Sequence, residues 1–179
     1  SFTFVASANA VSHIGAIPNF VDIECDTFGI SPSKLEKYLL DKVIFKNNYS
    51  INKETGSKIS ALIAVHVYGN SCNIIEISKI CKKFNIKLIE DCAGALGTFV
   101  DIRADIKHVG LFGDVGCFSF NGNKIITTGG GGAIITNSKE KFKKLLHLST
   151  TARLPHDYEI EHDEVGWNER MPNINAALG

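Results

Sequence analysis

Apolar residues recur along this chain with two periods. Within residues 73–84, Ile74, Ile77, Ile80, Cys81 and Phe84 stand three or four apart, the stripe of an amphipathic helix. Residues 59–67 and 87–89 are short apolar runs that read as strands, as do 18–23, 115–120 and 133–136. Small residues over 6–15 suit a helix with Gly15 just past its end. Ser31-Pro32 supplies a cap and a first-turn proline for a helix over 34–41, and a Lys-rich helix follows over 138–147. Residues 43–58, with Asn47-Asn48 and Thr55-Gly56, read as an irregular surface excursion, and 68–71 as a turn. The last thirty residues carry mixed charge and no clear period until 176–179, which read as an unfinished helix. Helix and strand alternate, so the pattern predicts an α/β fold with a mostly parallel sheet and flanking helices.

Length and charge narrow the class. A chain of 179 residues suits one domain. Nineteen Lys and Arg balance nineteen Asp and Glu, so no overall field draws the chain to nucleic acid or an anionic membrane. No apolar run reaches the roughly 18–20 residues of a spanning helix. The five cysteines are odd in number and lack metal-like spacing, which points to a reduced, cytoplasmic setting and no metal. The chain starts without Met and stops inside a helical pattern, so it reads as a piece of a longer protein.

Ligands of open α/β sheets gather beyond the carboxyl ends of the strands, and three features fall there. Asp91 follows an apolar strand and precedes the small residues Cys92-Ala93-Gly94-Ala95. It is either a cap of the next segment or a carboxylate that holds a cationic ring nitrogen. Ser119 closes another strand, with Lys124 five residues on. A hydroxyl and nearby amides bind phosphate, and a lysine beside them forms a Schiff base with an aldehyde; the other reading of Lys124 is a surface lysine. The run Gly129 to Gly132 matches no phosphate-loop pattern and leads into a strand, so it reads as close backbone approach. Gly113-Asp114 reads as a turn, and His66 as a buried, satisfied histidine or a ligand contact. The six histidines form no metal triad.

Six segments carry a resemblance in their order and spacing. They are Ser-Phe-Thr-Phe-Val-Ala (1–6), Val-His-Val-Tyr-Gly (65–69), Ile-Glu-Asp (89–91), Cys-Phe-Ser-Phe-Asn-Gly-Asn-Lys (117–124), Thr-Thr-Gly-Gly-Gly-Gly (127–132) and Gly-Trp-Asn-Glu-Arg-Met (166–171). Together they resemble the DegT/DnrJ/StrS family of sugar aminotransferases over nearly the whole chain. The resemblance implies an aspartate aminotransferase-like, fold type I large domain. Residues 1–179 would be part of that domain, without the N-terminal segment and the C-terminal small domain, and this piece alone would turn over little or not at all.

The resemblance also implies a cofactor, pyridoxal 5′-phosphate, and roles for named residues. Lys124 corresponds to the lysine bonded to the cofactor, which later moves the proton. Asp91 corresponds to the partner of the pyridine nitrogen, Ser119 to a phosphate ligand, and Phe4 to the aromatic that stacks on the ring, with core packing as its other role. Asn168 matches an asparagine that crosses a homodimer interface to the neighbouring phosphate. Glutamate is the implied amino donor and a nucleotide-linked keto sugar the acceptor. The wording of 120–132 and the insert before Ile59 resemble the subgroup acting on UDP-linked 4-keto-6-deoxy sugars with an N-acetyl group, in legionaminic acid or bacillosamine-type pathways for bacterial surface glycans. Gly94 and Gly130 depart from the family pattern, and 98–110 is a few residues longer. Two other readings stand beside this one. A pyridoxamine-dependent sugar dehydratase would replace the lysine, commonly by His, and Lys124 argues against it; a cofactor-binding sensor or truncated product without turnover is the other.

Overall fold

A computed structural model describes residues 1–103 and 105–179. Its centre is a four-stranded sheet of β3 (Ala61–Val65), β4 (Lys87–Asp91), β7 (Val115–Ser119) and β8 (Gly132–Ile135), in the spatial order β3-β4-β7-β8. The first three strands are parallel, and β8 returns antiparallel to β7. The expected mostly parallel sheet is therefore present.

Two helices build the covered face. In α3 (Ile74–Lys83), Ile74, Ile77, Ile80 and Cys81 are buried, as their spacing requires, with Glu76 in the first turn and Lys82 and Lys83 in the last complementing the helix dipole. In α2 (Pro32–Lys42), Ser31 Oγ accepts the Lys34 amide at 3.4 Å and Pro32 occupies the first turn. Leu35 and Leu39 of α2 join the α3 residues, Ala64 and Leu88 in one core cluster. Strand alternation and register put Leu62, Ala64, Leu88, Glu90 and Gly116 on this face. The opposite face carries Ile63, Val65, Ile89, Asp91, Val115, Cys117 and Ser119 and is only half-buried. Helix α1 (Val5–His13) lies against its Asp91 end, and α4 (Lys139–Ser149) follows β8, capped by Ser138 Oγ on the Lys141 amide at 3.2 Å.

Three expectations change. Residues 18–23 form no strand: Ile23 makes a single bridge to Ile30 as the chain folds back on itself, with Glu24 N–H on Gly29 O and Ser31 N–H on Asp22 O. Pro18 brings no amide to a ladder. Residues 43–58 hold a hairpin, β1 (Val43–Lys46) with β2 (Tyr49–Asn52), whose two-residue link is Asn47 (φ 50°) and Asn48 (φ 64°). Two consecutive left-handed residues are the type I′ signature, which asparagine tolerates. The long stretch 98–110 contains a second hairpin, β5 (Phe99–Ile102) with β6 (Asp105–His108). The last residues form a short α5 (Asn173–Leu178).

Candidate active site

Three parallel strands stop at one edge of the sheet. β3 runs out into His66, β4 ends at Asp91 and β7 ends at Ser119. Asp91 lies opposite Cys117, so Ser119, two residues further on, shares its face and edge. Gly132 lies opposite Ser119 at the start of β8, so the loop that carries Lys124 and the glycine run opens on the same edge.

Asp91 is held from two sides. Ser7 Oγ of α1 donates to Oδ2 at 2.6 Å, the Ala93 amide donates to Oδ1 at 3.1 Å, and Thr3 Oγ1 stands 2.8 Å from Ser7 Oγ. Ser119 Oγ accepts the Asn121 amide at 3.3 Å, which starts a turn closed by Lys124 N–H on Asn121 O at 3.0 Å. The Lys124 side chain is half-buried, and its amine has no hydrogen bond or ion pair among the described residues. Phe4 is the residue before α1 and 78% exposed, so it is not a core residue of this chain. Asn168 is exposed and makes no hydrogen bond to Asp91, Ser119 or Lys124 among the described residues; the amide of its neighbour Trp167 donates to Leu148 O. The structure thus gathers Asp91, Ser119 and Lys124 at one edge, brings the Phe4 segment near through Ser7, and gives Asn168 no hydrogen bond to them among the described residues.

Directly behind Asp91, on the covered face, Glu90 and His66 form a fully buried pair. Glu90 Oε1 accepts the amides of Phe112 (2.7 Å) and Gly113 (2.6 Å), and Oε2 accepts the Gly110 amide (2.8 Å) and His66 Nε2–H (3.1 Å). His66 Nδ1 accepts the Cys72 amide at 3.3 Å, which leaves the ring proton on Nε2. Burial pushes the Glu90 carboxyl up, but the His66 hydrogen bond and the Gly110 and Gly113 amides outweigh it and hold it below the usual carboxylate range. His66 is accordingly the buried, satisfied histidine of the two readings. Gly113 has no room for a Cβ, which would meet Leu88 O at 2.5 Å, and Asp114 accepts the Leu88 amide and Lys141 Nζ, so Gly113-Asp114 is a structural turn.

The glycine run is a packing device. A Cβ on Gly131 (φ 105°) would lie 2.8 Å from Met171 Cε, and one on Gly132 would lie 2.5 Å from Phe118 O. Asn175 Nδ2 donates to Thr128 O at 2.6 Å. The chain after Gly166 therefore closes over this loop. Ser7, Glu90 and Tyr68 have places at or behind the strand edge that sequence reasoning did not assign. Only Glu90 left a signal, as a carboxylate at a buried position of a strand.

All 179 residues match the DegT/DnrJ/EryC1/StrS aminotransferase family. This chain belongs to that family. Over its whole length it is 41% identical to the putative pyridoxal phosphate-dependent aminotransferase EpsN of Bacillus subtilis (strain 168), of which it covers 42%. It is 37% identical over its whole length to GDP-perosamine synthase of Escherichia coli O157:H7, covering 43% of that protein. Helicobacter pylori PseC, an aminotransferase involved in the biosynthesis of pseudoaminic acid, superposes with a TM-score of 0.80 at 32% identity, over 98% of this chain and 42% of PseC. The chain thus spans less than half the length of the family members it matches. Its sheet and flanking helices are part of a fold type I, aspartate aminotransferase-like domain.

Proposed function

We propose that residues 1–179 are part of the cofactor-binding large domain of a cytoplasmic, homodimeric aminotransferase that uses pyridoxal 5′-phosphate. The observation that supports this reading most is the shared edge: a fixed carboxylate, a hydroxyl and a half-buried amine that has no partner among the described residues, at the carboxyl ends of adjacent strands. Those groups fit the cofactor's chemistry, since a carboxylate holds a cationic ring N–H, a hydroxyl with amides holds phosphate, and a primary amine bonds an aldehyde. When bound, the cofactor supplies an electron-accepting ring that makes the α-proton of an amino acid removable.

Each of five residues then has a task. Asp91, steadied by Ser7 and the Ala93 amide, holds a proton on the ring nitrogen. Ser119 would bind the phosphate, and the exposed ring of Phe4 would offer a face on which the cofactor ring stacks. The Lys124 amine carries the proton between the donor carbon and the cofactor. Asn168, exposed on this chain, serves the neighbouring site of the dimer. Glutamate donates the amine and leaves as 2-oxoglutarate, and carbon 4 of a UDP-linked 4-keto-6-deoxy, N-acetylated sugar receives it, for a bacterial surface glycan.

The test uses the complete protein incubated with pyridoxal phosphate, reduced with borohydride and mapped by mass spectrometry. Label on Lys124 is expected, with loss of label in Lys124→Ala; label on another lysine overturns the site. Asp91→Asn is expected to lower kcat of the glutamate half-reaction by at least roughly 100-fold, about 2.7 kcal/mol of barrier, while leaving the Lys124 label in place. An unchanged rate overturns the role of Asp91.

A further inference from the structure

Tyr68 is unexplained by the fold. It stands three residues beyond β3 with φ 51° and ψ 29°, the left-handed region that glycine or asparagine enters most readily. Its side chain is 86% exposed, so it adds almost nothing to the core. A residue held in a sparsely populated conformation, and not for packing, is a pointer to function.

The surrounding turn holds the ring in place. Asn70 N–H donates to Val67 O at 2.9 Å, Thr98 Oγ1 donates to Gly69 O at 2.7 Å, and His66 N–H donates to Asp91 O at 3.0 Å. Gly69 (φ 86°) approaches Gly94 so closely that a Cβ would stand 3.2 Å from its carbonyl oxygen. The turn is thereby fastened to the end of β4. Phe2 meets Tyr68 edge-on, with ring centroids 6.1 Å apart at 64°, and Phe28 lies 6.1 Å beyond Phe2. The strand order β3-β4-β7 puts this aromatic wall on one side of Asp91 and the loop of Lys124 on the other.

We infer that Tyr68, buttressed by Phe2, is a substrate-positioning platform on which the base of the nucleotide-linked acceptor stacks. This rests on the acceptor proposed above being a nucleotide sugar. The amine-accepting carbon has to meet the cofactor between Asp91 and Lys124, so the distal, flat end of the acceptor projects to a flank, and an exposed aromatic face on a rigid turn complements a nucleobase. A phosphate alone would call for cationic or N–H groups, which the rings of Phe2, Phe28 and Tyr68 do not supply.

Binding of UDP, GDP and TDP to the complete protein, by titration calorimetry, tests the platform without turnover. Wild type is expected to bind one of them, Tyr68→Ala about tenfold more weakly, and Tyr68→Phe within about twofold of wild type, because the ring is kept. Tyr68→Asn, which suits the backbone, is expected to lose binding as Tyr68→Ala does while its melting temperature stays at the wild-type value. Equal nucleotide affinity in wild type and Tyr68→Ala overturns the platform and leaves the aminotransferase reading intact. So does a fall in melting temperature or a change of oligomeric state in both Tyr68→Ala and Tyr68→Asn that accounts for the lost binding. A wild type labelled at Lys124 that binds none of the three nucleotides overturns the nucleotide-sugar acceptor, and the platform with it.

Discussion

A carboxylate with no exposed surface is stable only where protons surround it, and Glu90 is surrounded by four. Replacing it by glutamine keeps the volume but turns an NH2 group toward N–H donors. Glu90→Gln is therefore expected to lose roughly 3 kcal/mol or more at neutral pH, read by urea unfolding. The pH dependence follows from the sign of the shift. The folded carboxyl lies below its ordinary value of 4.5, so its stabilisation is complete above that value and drains away as pH falls through the folded one. Wild-type stability should drop more steeply below pH 4.5 than that of Glu90→Gln, and parallel profiles would refute the charge argument. The sequence shows Glu90 as a charge at a buried strand position. It does not show the amides that satisfy it, because Gly110, Phe112 and Gly113 come from about twenty residues further along and are aimed by a turn that only the fold creates.

Elements differ in how openly the chain announces them. Helix α3 is plain in the sequence because burial of Ile74, Ile77, Ile80 and Cys81 follows one period, and its tertiary contacts simply use that stripe. Ile77→Ala, at a fully buried centre of the core, should cost about 2–5 kcal/mol; a denaturant midpoint equal to wild type would show that the helix does not anchor the sheet. The first hairpin and the segment 18–23 depart from the sequence pattern for different reasons. Residues 43–58 look irregular because β1 and β2 are only four residues each, partly exposed, and followed by a polar stretch, while the decisive feature is the pair of left-handed asparagines between them. Residues 18–23 look like a strand, yet their apolar side chains have no ladder to join and the backbone pairs within its own turn. Apolar composition sets what is buried; pairing partners decide what becomes a strand.

At the scale of the molecule, one sheet face is sealed by α2 and α3 and the other stays half-open, and the candidate site lies at the edge of the open one. Motif order brought Asp91, Ser119 and Lys124 to notice, but their proximity is a product of parallel topology, which sets strands that are distant in sequence side by side with their ends aligned. The cysteines differ in burial. Burial pushes the Cys72 and Cys81 thiols up to about 12 and raises Cys92 and Cys117 as well, whereas Cys25 is exposed. At pH 8 a disulfide reagent such as DTNB should react rapidly with Cys25, and with Cys72 and Cys81 only after denaturation; a fast Cys72 or Cys81 in the native state would mean that the sealed face opens readily. The sheet's strand order has a practical meaning too. β3 and β8 are its outer strands, and among the described residues each presents a row of backbone groups without a neighbour in the sheet. Such rows are templates for further strands, so this piece, expressed alone at high concentration, is set to polymerise edge to edge, and a covering segment or a charged substitution on β8 is the natural means of keeping it dispersed.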